Sequence, residues 1–133
     1  MSVDLIIDEG LVAKDHQRTL VRMLQGIMEP VAIEVGVASG NTSRILLRNV
    51  PRLRLFMVDK WSPPENHPRR DQAWYDAAYA SAEEKTEFAA GRRYMVRELS
   101  VLAAWRHSFN VDLIFIDAHH ELLSVLSDCV AWW

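Results

Sequence analysis

The stretch "VAIEVGVASGNTSRIL", residues 31–46, decides how the chain folds. Its first five residues are small or β-branched and carry one polar side chain, Glu34. Such a run reads as a strand covered on both faces. Gly36 and Gly40 follow, and Asn41, Thr42 and Ser43 then open a helical pattern whose first turn Asn41 or Thr42 can cap. The chain holds only five glycines, and two of them stand directly behind a carboxylate. Glycine permits a tight turn and lets another molecule approach the backbone with no Cβ in the way. The helix that begins there aims free N–H groups into the same space.

The same alternation extends in both directions. Leu20, Met23, Leu24, Ile27 and Met28 fall at helical spacing, which predicts a helix over about 11–28 that Pro30 ends. "LRLFMVD", residues 53–59, predicts a second strand closing on an acid. Residues 62–70, "SPPENHPRR", hold three of the five prolines and predict a loop. Residues 71–90 predict a helix with Trp74, Ala77, Ala78, Ser81 and Ala82 on one face and Gly91 at its stop. "RYMVREL" predicts a third strand, a short helix follows over 101–107, and "VDLIFID", 111–117, is the clearest strand of all. A last helix runs from about 120 to the end. This β-α-β-α-β-α-β-α order predicts an α/β fold, a parallel sheet with helices on both faces. Its expected strand order is 3-2-1-4, counted along the chain, because a reversal between the first and fourth strands opens a ligand crevice.

Length and composition bound the rest. The 133 residues are half hydrophobic and a quarter charged, as expected of one ordinary domain spanning 1–133. A formal net charge of -3 supplies no basic face for nucleic acid. The lone Cys129 excludes an internal disulfide and suits a reducing compartment. The acidic "MSVDLIIDEG" is no signal peptide and is too short to cross a bilayer, so the expectation is a cytoplasmic protein with no membrane partner.

Two acids narrow the ligand. Glu34 lies too near the glycine loop to welcome a pyrophosphate, and would instead attract an ammonium group or accept from hydroxyls. Asp59, ending the second strand, is placed to accept two hydrogen bonds from a ribose diol. A ligand with a ribose and a positive charge but no phosphate fits both, and S-adenosylmethionine is such a ligand. A nicotinamide-dependent oxidoreductase also places an acid after its second strand, but wants G-x-G-x-x-G where this chain has E-x-G-x-x-x-G.

"IEVGVASGNTS", "FMVDKW" and "VDLIFIDAHH…SVLSDCVAWW" together resemble the class I S-adenosylmethionine-dependent methyltransferases, and within them the small-molecule O-methyltransferase-like group. The likeness spans nearly the whole chain, with the three motifs in the family's order. It implies a Rossmann-like fold and methyl transfer to a small-molecule acceptor. By the same resemblance, the loop of Glu34, Gly36, Ala38 and Gly40 would hold the methionine moiety. Asp59 would take the ribose hydroxyls, and Trp61 would wall the adenosine side. Ser100, in the turn from Glu98, would lie beside adenine, and Asp117 would face the methionine amino group or a divalent metal. His119 and His120 stand next to Asp117 and suggest metal binding or general-base work. The alternative is that one of them caps the last helix and the other is solvated. His120 holds the family's histidine position and is the better catalytic candidate.

The chain also departs from the family. "RELS" stands where Gly-Asp-Ser often follows the third strand, and Leu122 and Leu123 replace a frequent Tyr-Glu pair. It ends at "AWW", where the family continues into a Gly-Gly turn and a fifth strand, so the expectation is a C-terminally shortened form. The cofactor half would be encoded and the acceptor half not, which predicts weak or absent turnover by the short chain alone. A non-catalytic module that binds the cofactor, or pairs with another chain, is the competing reading. The apolar fourth strand would then be an open edge, and such edges recruit another chain. Leu126, Val130, Trp132 and Trp133 on the last helix add to that surface, which predicts a homodimer or larger homo-oligomer through these two elements.

Overall fold

The computed structural model describes residues 5, 12–65, 70–106, 110–117 and 122–133. Four parallel strands form one sheet in the order β3-β2-β1-β4, which bears out the order 3-2-1-4. They are β1 (Val31–Val35), β2 (Arg54–Asp59), β3 (Arg93–Arg97) and β4 (Leu113–Ile116). Between and around them run α1 (Asp15–Gln25), α2 (Asn41–Asn49), α3 (Gln72–Lys85), α4 (Ser100–Arg106) and α5 (Leu122–Trp132). No described helix is long and apolar enough to cross a membrane.

Side-chain alternation along the strands divides the core in two. Ala32, Leu55 and Met57 face one way and bury against Leu20 and Leu24 of α1, Leu46 and Leu47 of α2, and Ala78 and Ala82 of α3. Ile33, Val35 and Val58 face the other way, against Ala103 of α4 and Trp132 of α5. Helices therefore cover both faces, and β1 is buried at all five positions as a central strand should be.

Local chemistry shifts two helix ends and one helix face from expectation. In α2 the N-cap position falls on Gly40, in the left-handed region at φ 83°, and no side chain caps the turn. Asn41 and Thr42 are engaged elsewhere. The Asn41 Oδ1 accepts from Lys85 Nζ at 2.7 Å, and the Thr42 Oγ1 accepts from Gln17 Nε2 at 2.8 Å. α3 begins where Asp71 caps it, accepting from the Trp74 N–H at 2.9 Å, but ends at Lys85 rather than near 90. Thr86 is buried there with its hydroxyl donating to the Ala82 carbonyl, and a 3-10 turn over Glu87–Ala89 follows. Its covered face is Tyr75, Ala78, Tyr79 and Ala82, while Trp74 and Ala77 are exposed. Tyrosines at i, i+4 outweigh alanines as the anchoring face, which rotates the helix by about one residue from the expected stripe.

Candidate functional site

The carboxyl ends of all four strands lie level. The Gly36 N–H donates to the Val58 carbonyl at 2.8 Å, the Glu98 N–H to the Asp59 carbonyl at 3.1 Å, and the Asp117 N–H to the Val35 carbonyl at 2.7 Å. These bonds extend the ladder by one rung past β1, β3 and β4. They bring Glu34, Asp59 and Asp117 from three strands to one edge, opening where β1 lies between β2 and β4.

The loop from Gly36 to Gly40 turns by alternating residues through the left-handed region: Gly36 at φ 92°, Ala38 at 51° and Gly40 at 83°. Glycine adopts these angles freely, whereas alanine is held there only by its surroundings. For Ala38 the restraint is Asp59. Its carboxylate accepts the N–H groups of Val37 and Ala38, both at 2.9 Å, and that of Trp61 at 2.8 Å. Gly40 answers to a different constraint. A Cβ there would lie 2.7 Å from the Ala82 Cα, so the missing side chain lets α2 close on α3. The sequence expectation of two glycines clearing a ligand's path is corrected at this position: the space over Gly40 is filled by the protein.

Glu34 is 2% exposed, with the Ser43 hydroxyl donating to its Oε2. Burial pushes its carboxyl from an ordinary value near 4.5 up to about 8. The Ser43 hydrogen bond opposes that rise, and the charges of Asp117 and Asp59 add to it. Near neutral pH the group is therefore held largely uncharged inside an acidic edge, and a cation brought to that edge would favour its ionisation.

The other expected site residues are placed as follows. Trp61 has φ 43°, and its indole is fully buried, edge-on to Tyr79 at 4.9 Å between ring centres. Its Nε1–H donates to the Ala38 carbonyl at 2.8 Å, so it reaches the loop from the core side. Ser100 opens α4 and accepts from Trp132 Nε1 at 2.7 Å. Glu34, Gly36, Ala38, Asp59 and Asp117 are brought together; Trp61 lies beneath them and Ser100 follows the end of β3. His119 and His120 lie outside the described residues. Among the described residues no group of three or more His, Cys, Asp or Glu could hold a metal.

Ser43 was not foreseen. Three consecutive polar residues open α2, and Ser43 is the one buried against β1. A polar residue in that turn beyond those needed for capping was the available sign. Arg97 and Gln72 were missed too: both donate to the Trp61 carbonyl at 3.0 Å and hold the turn after β2.

Residues 33–133 match the family model described as a methyltransferase domain. The chain belongs to that family. Solved structures share the fold of this methyltransferase domain at low identity. The cofactor-bound structure of Rv0187 from MTB superposes with a TM-score of 0.61 at 17% identity, over 96% of this chain and 54% of that one. A structure designated a caffeoyl-CoA O-methyltransferase, from Staphylococcus aureus, gives 0.66 at 11% identity, over 92% of this chain and 52% of that one. An rRNA methylase from Streptococcus thermophilus gives 0.62 at 9%, over 92% and 65%. The methyltransferase domain thus spans between half and two thirds of the length of these neighbours. No curated protein matches it in sequence.

Proposed function

We propose that this methyltransferase domain binds S-adenosylmethionine at the carboxyl ends of β1, β2 and β4 and serves methyl transfer to a small-molecule acceptor. The observation that carries this reading is the gathering of Glu34, Asp59 and Asp117 around a left-handed loop, with one of the three buried and held neutral. Sulfonium and ammonium charges match an edge of that composition, whereas a pyrophosphate would meet repulsion from it. When bound, S-adenosylmethionine supplies an activated methyl group on its sulfonium. The chain's own residues position it: Glu34, Gly36 and Ala38 shape the methionine end, Gly40 holds α2 against α3 behind them, and Asp117 faces the amino group. Asp59 takes the ribose, Trp61 supports the adenosine side through Ala38, and Ser100 borders adenine. His120 is the candidate base at the acceptor. The same acids disfavour a polyanionic acceptor, since nucleic-acid binding draws on neutralised phosphates.

Titration calorimetry with S-adenosylmethionine, S-adenosylhomocysteine and NAD tests this. Saturable binding of the first two and none of NAD is expected. Binding of NAD alone, or of none of the three, would overturn the reading.

We further propose that the domain pairs with a second copy through β4 and α5. Among the described residues β4 has one neighbour, β1, and its four residues are half-buried. Beside it runs a groove of about 360 Å³ lined by Ile114, Ile116, Cys129, Trp132 and Trp133 among others. Val130 on the same helix and Trp133 just past its end are largely exposed. An apolar strand edge flanked by an apolar helix favours pairing with another strand. Sedimentation at micromolar concentration should show a dimer; a monomer would overturn this.

A further inference from the structure

Asp59 is the acid expected to bind a ribose, yet its carboxylate is already engaged within the chain. Oδ2 accepts two N–H groups, from Val37 and Ala38, and Oδ1 accepts one, from Trp61. Ala38 and Trp61 are the two described non-glycine residues in the left-handed region, and both rest on this one side chain. A fourth bond closes the ring, from the Trp61 indole N–H to the Ala38 carbonyl at 2.8 Å. Arg97 and Gln72 fix the far side of the turn through the Trp61 carbonyl. A conformation that side chains rarely adopt persists only where its surroundings over-determine it. Here the shared determinant is the Asp59 carboxylate.

A carboxylate offers about four lone-pair positions. Among the described residues, backbone donors occupy three of them, leaving one on Oδ1. We propose that Asp59 is a positioning residue for the loop 36–40 and that it offers a ribose diol a single acceptor position, so that it reads one hydroxyl of the pair. The second half of this inference rests on the proposed nucleoside ligand, and replaces two expected hydrogen bonds with one. The first half concerns the chain alone. Removing the carboxylate frees the loop before any ligand arrives, so a loss of binding in an Asp59 variant reports mainly on a disordered loop.

Two measurements separate the halves. In the ligand-free protein, amide hydrogen exchange is followed by NMR in wild type, Asp59→Ala and Asp59→Asn. Exchange at Val37, Ala38 and Trp61 should accelerate at least about tenfold in Asp59→Ala, while Gly36, bonded to Val58, stays protected. Asp59→Asn keeps one acceptor oxygen and puts a donor in place of the other. It should therefore retain protection on one side of the ring and lose it on the other, a result that holds even if the alanine variant does not fold. Unchanged exchange at all three amides in either variant would overturn the positioning role. In the wild type, competition is then measured with the 2′-deoxy and 3′-deoxy forms of S-adenosylhomocysteine. One analogue should lose about tenfold or more, the loss of a hydrogen bond to a charged acceptor, and the other should stay within about threefold. Equal losses would overturn the single-acceptor claim. Failure of S-adenosylhomocysteine itself to bind would overturn it along with the proposed function, and leave the exchange result standing on its own.

Discussion

β1 and β4 are hydrogen-bonded neighbours in one sheet, yet they are finished to different degrees. Val31–Val35 is covered on both faces, and the loop beyond it is held by Asp59. Leu113–Ile116 is half-buried throughout, with one strand beside it among the described residues and an apolar groove along α5. The Glu34 and Asp59 side of the crevice is thus fixed inside the chain, while the β4 side presents surface for something else to cover. Preorganisation accompanies the loop after β1, and openness the outer edge of β4.

That contrast can be broken first at Glu34. Its carboxyl ionises near 4.5 when unfolded but is held neutral up to about 8 when folded. The stability this gives is fully present below about pH 4.5 and is lost progressively as pH rises through about 8. Complete ionisation in the fold would cost up to about 5 kcal/mol, as an order-of-magnitude ceiling. Glu34→Gln removes this cost. Denaturant unfolding at about pH 9 should therefore show the variant more stable than wild type, even though it binds S-adenosylmethionine at least about tenfold more weakly. Lower stability of the variant at that pH would show that ionising Glu34 in the fold carries no such cost.

The next break is at Gly40. Gly40→Ala places a methyl against the Ala82 backbone and leaves an alanine at φ 83°. Overpacking costs about 1–3 kcal/mol, and the backbone strain adds about 1–3 kcal/mol more. Urea unfolding should report the sum, and a neutral substitution would show that α2 and α3 are not locked together there.

Arg92 supports the same region from the other end of α2. Its guanidinium donates to the carbonyls of Leu47, Val50 and Leu53 at 2.7–3.2 Å. Arg92→Ala should cost about 1.5–3 kcal/mol, in the range for hydrogen bonds to a charged group. Its effect on ligand affinity should be slight, because the site lies at the opposite end of the helix.

The smallest effect on folding belongs to the open side. Replacing Val130 and Trp133 together by serine should change the unfolding free energy by less than about 0.5 kcal/mol, yet move sedimentation toward the monomer. A large loss of stability with no change in association would mean that α5 uses those residues within its own chain.

The contrast also explains what was legible in the sequence. β1, β2 and β4 were readable because each is a short run of almost nothing but apolar residues, as a strand packed between layers of helices requires, and the level strand ends follow from a parallel sheet. The placement of Glu34, Asp59 and Asp117 at one edge followed from where those strands close. The bonds that lock the loop were not readable, because Asp59 acts on backbone N–H groups and these leave no mark on residue identity. Gly40 was visible, but its neighbour Ala82 lies 42 residues away, and no local pattern connects them. The α3 face was misplaced because small residues at helical spacing outlined a stripe that Tyr75 and Tyr79 override.

Calorimetric titration of S-adenosylmethionine from about pH 6 to 7.5, in wild type and Glu34→Gln, tests the assignment of this acidic edge most directly. The interval lies below the titration of the ligand's own amino group, near 8. A cation that binds beside Glu34 favours its ionised form, and the proton it gives up is released on binding. Wild-type affinity should then rise with pH by up to about tenfold per unit, and the glutamine variant should stay flat. A flat profile in the wild type, or the same slope in both proteins, would contradict the placement of the ligand's positive charge beside Glu34.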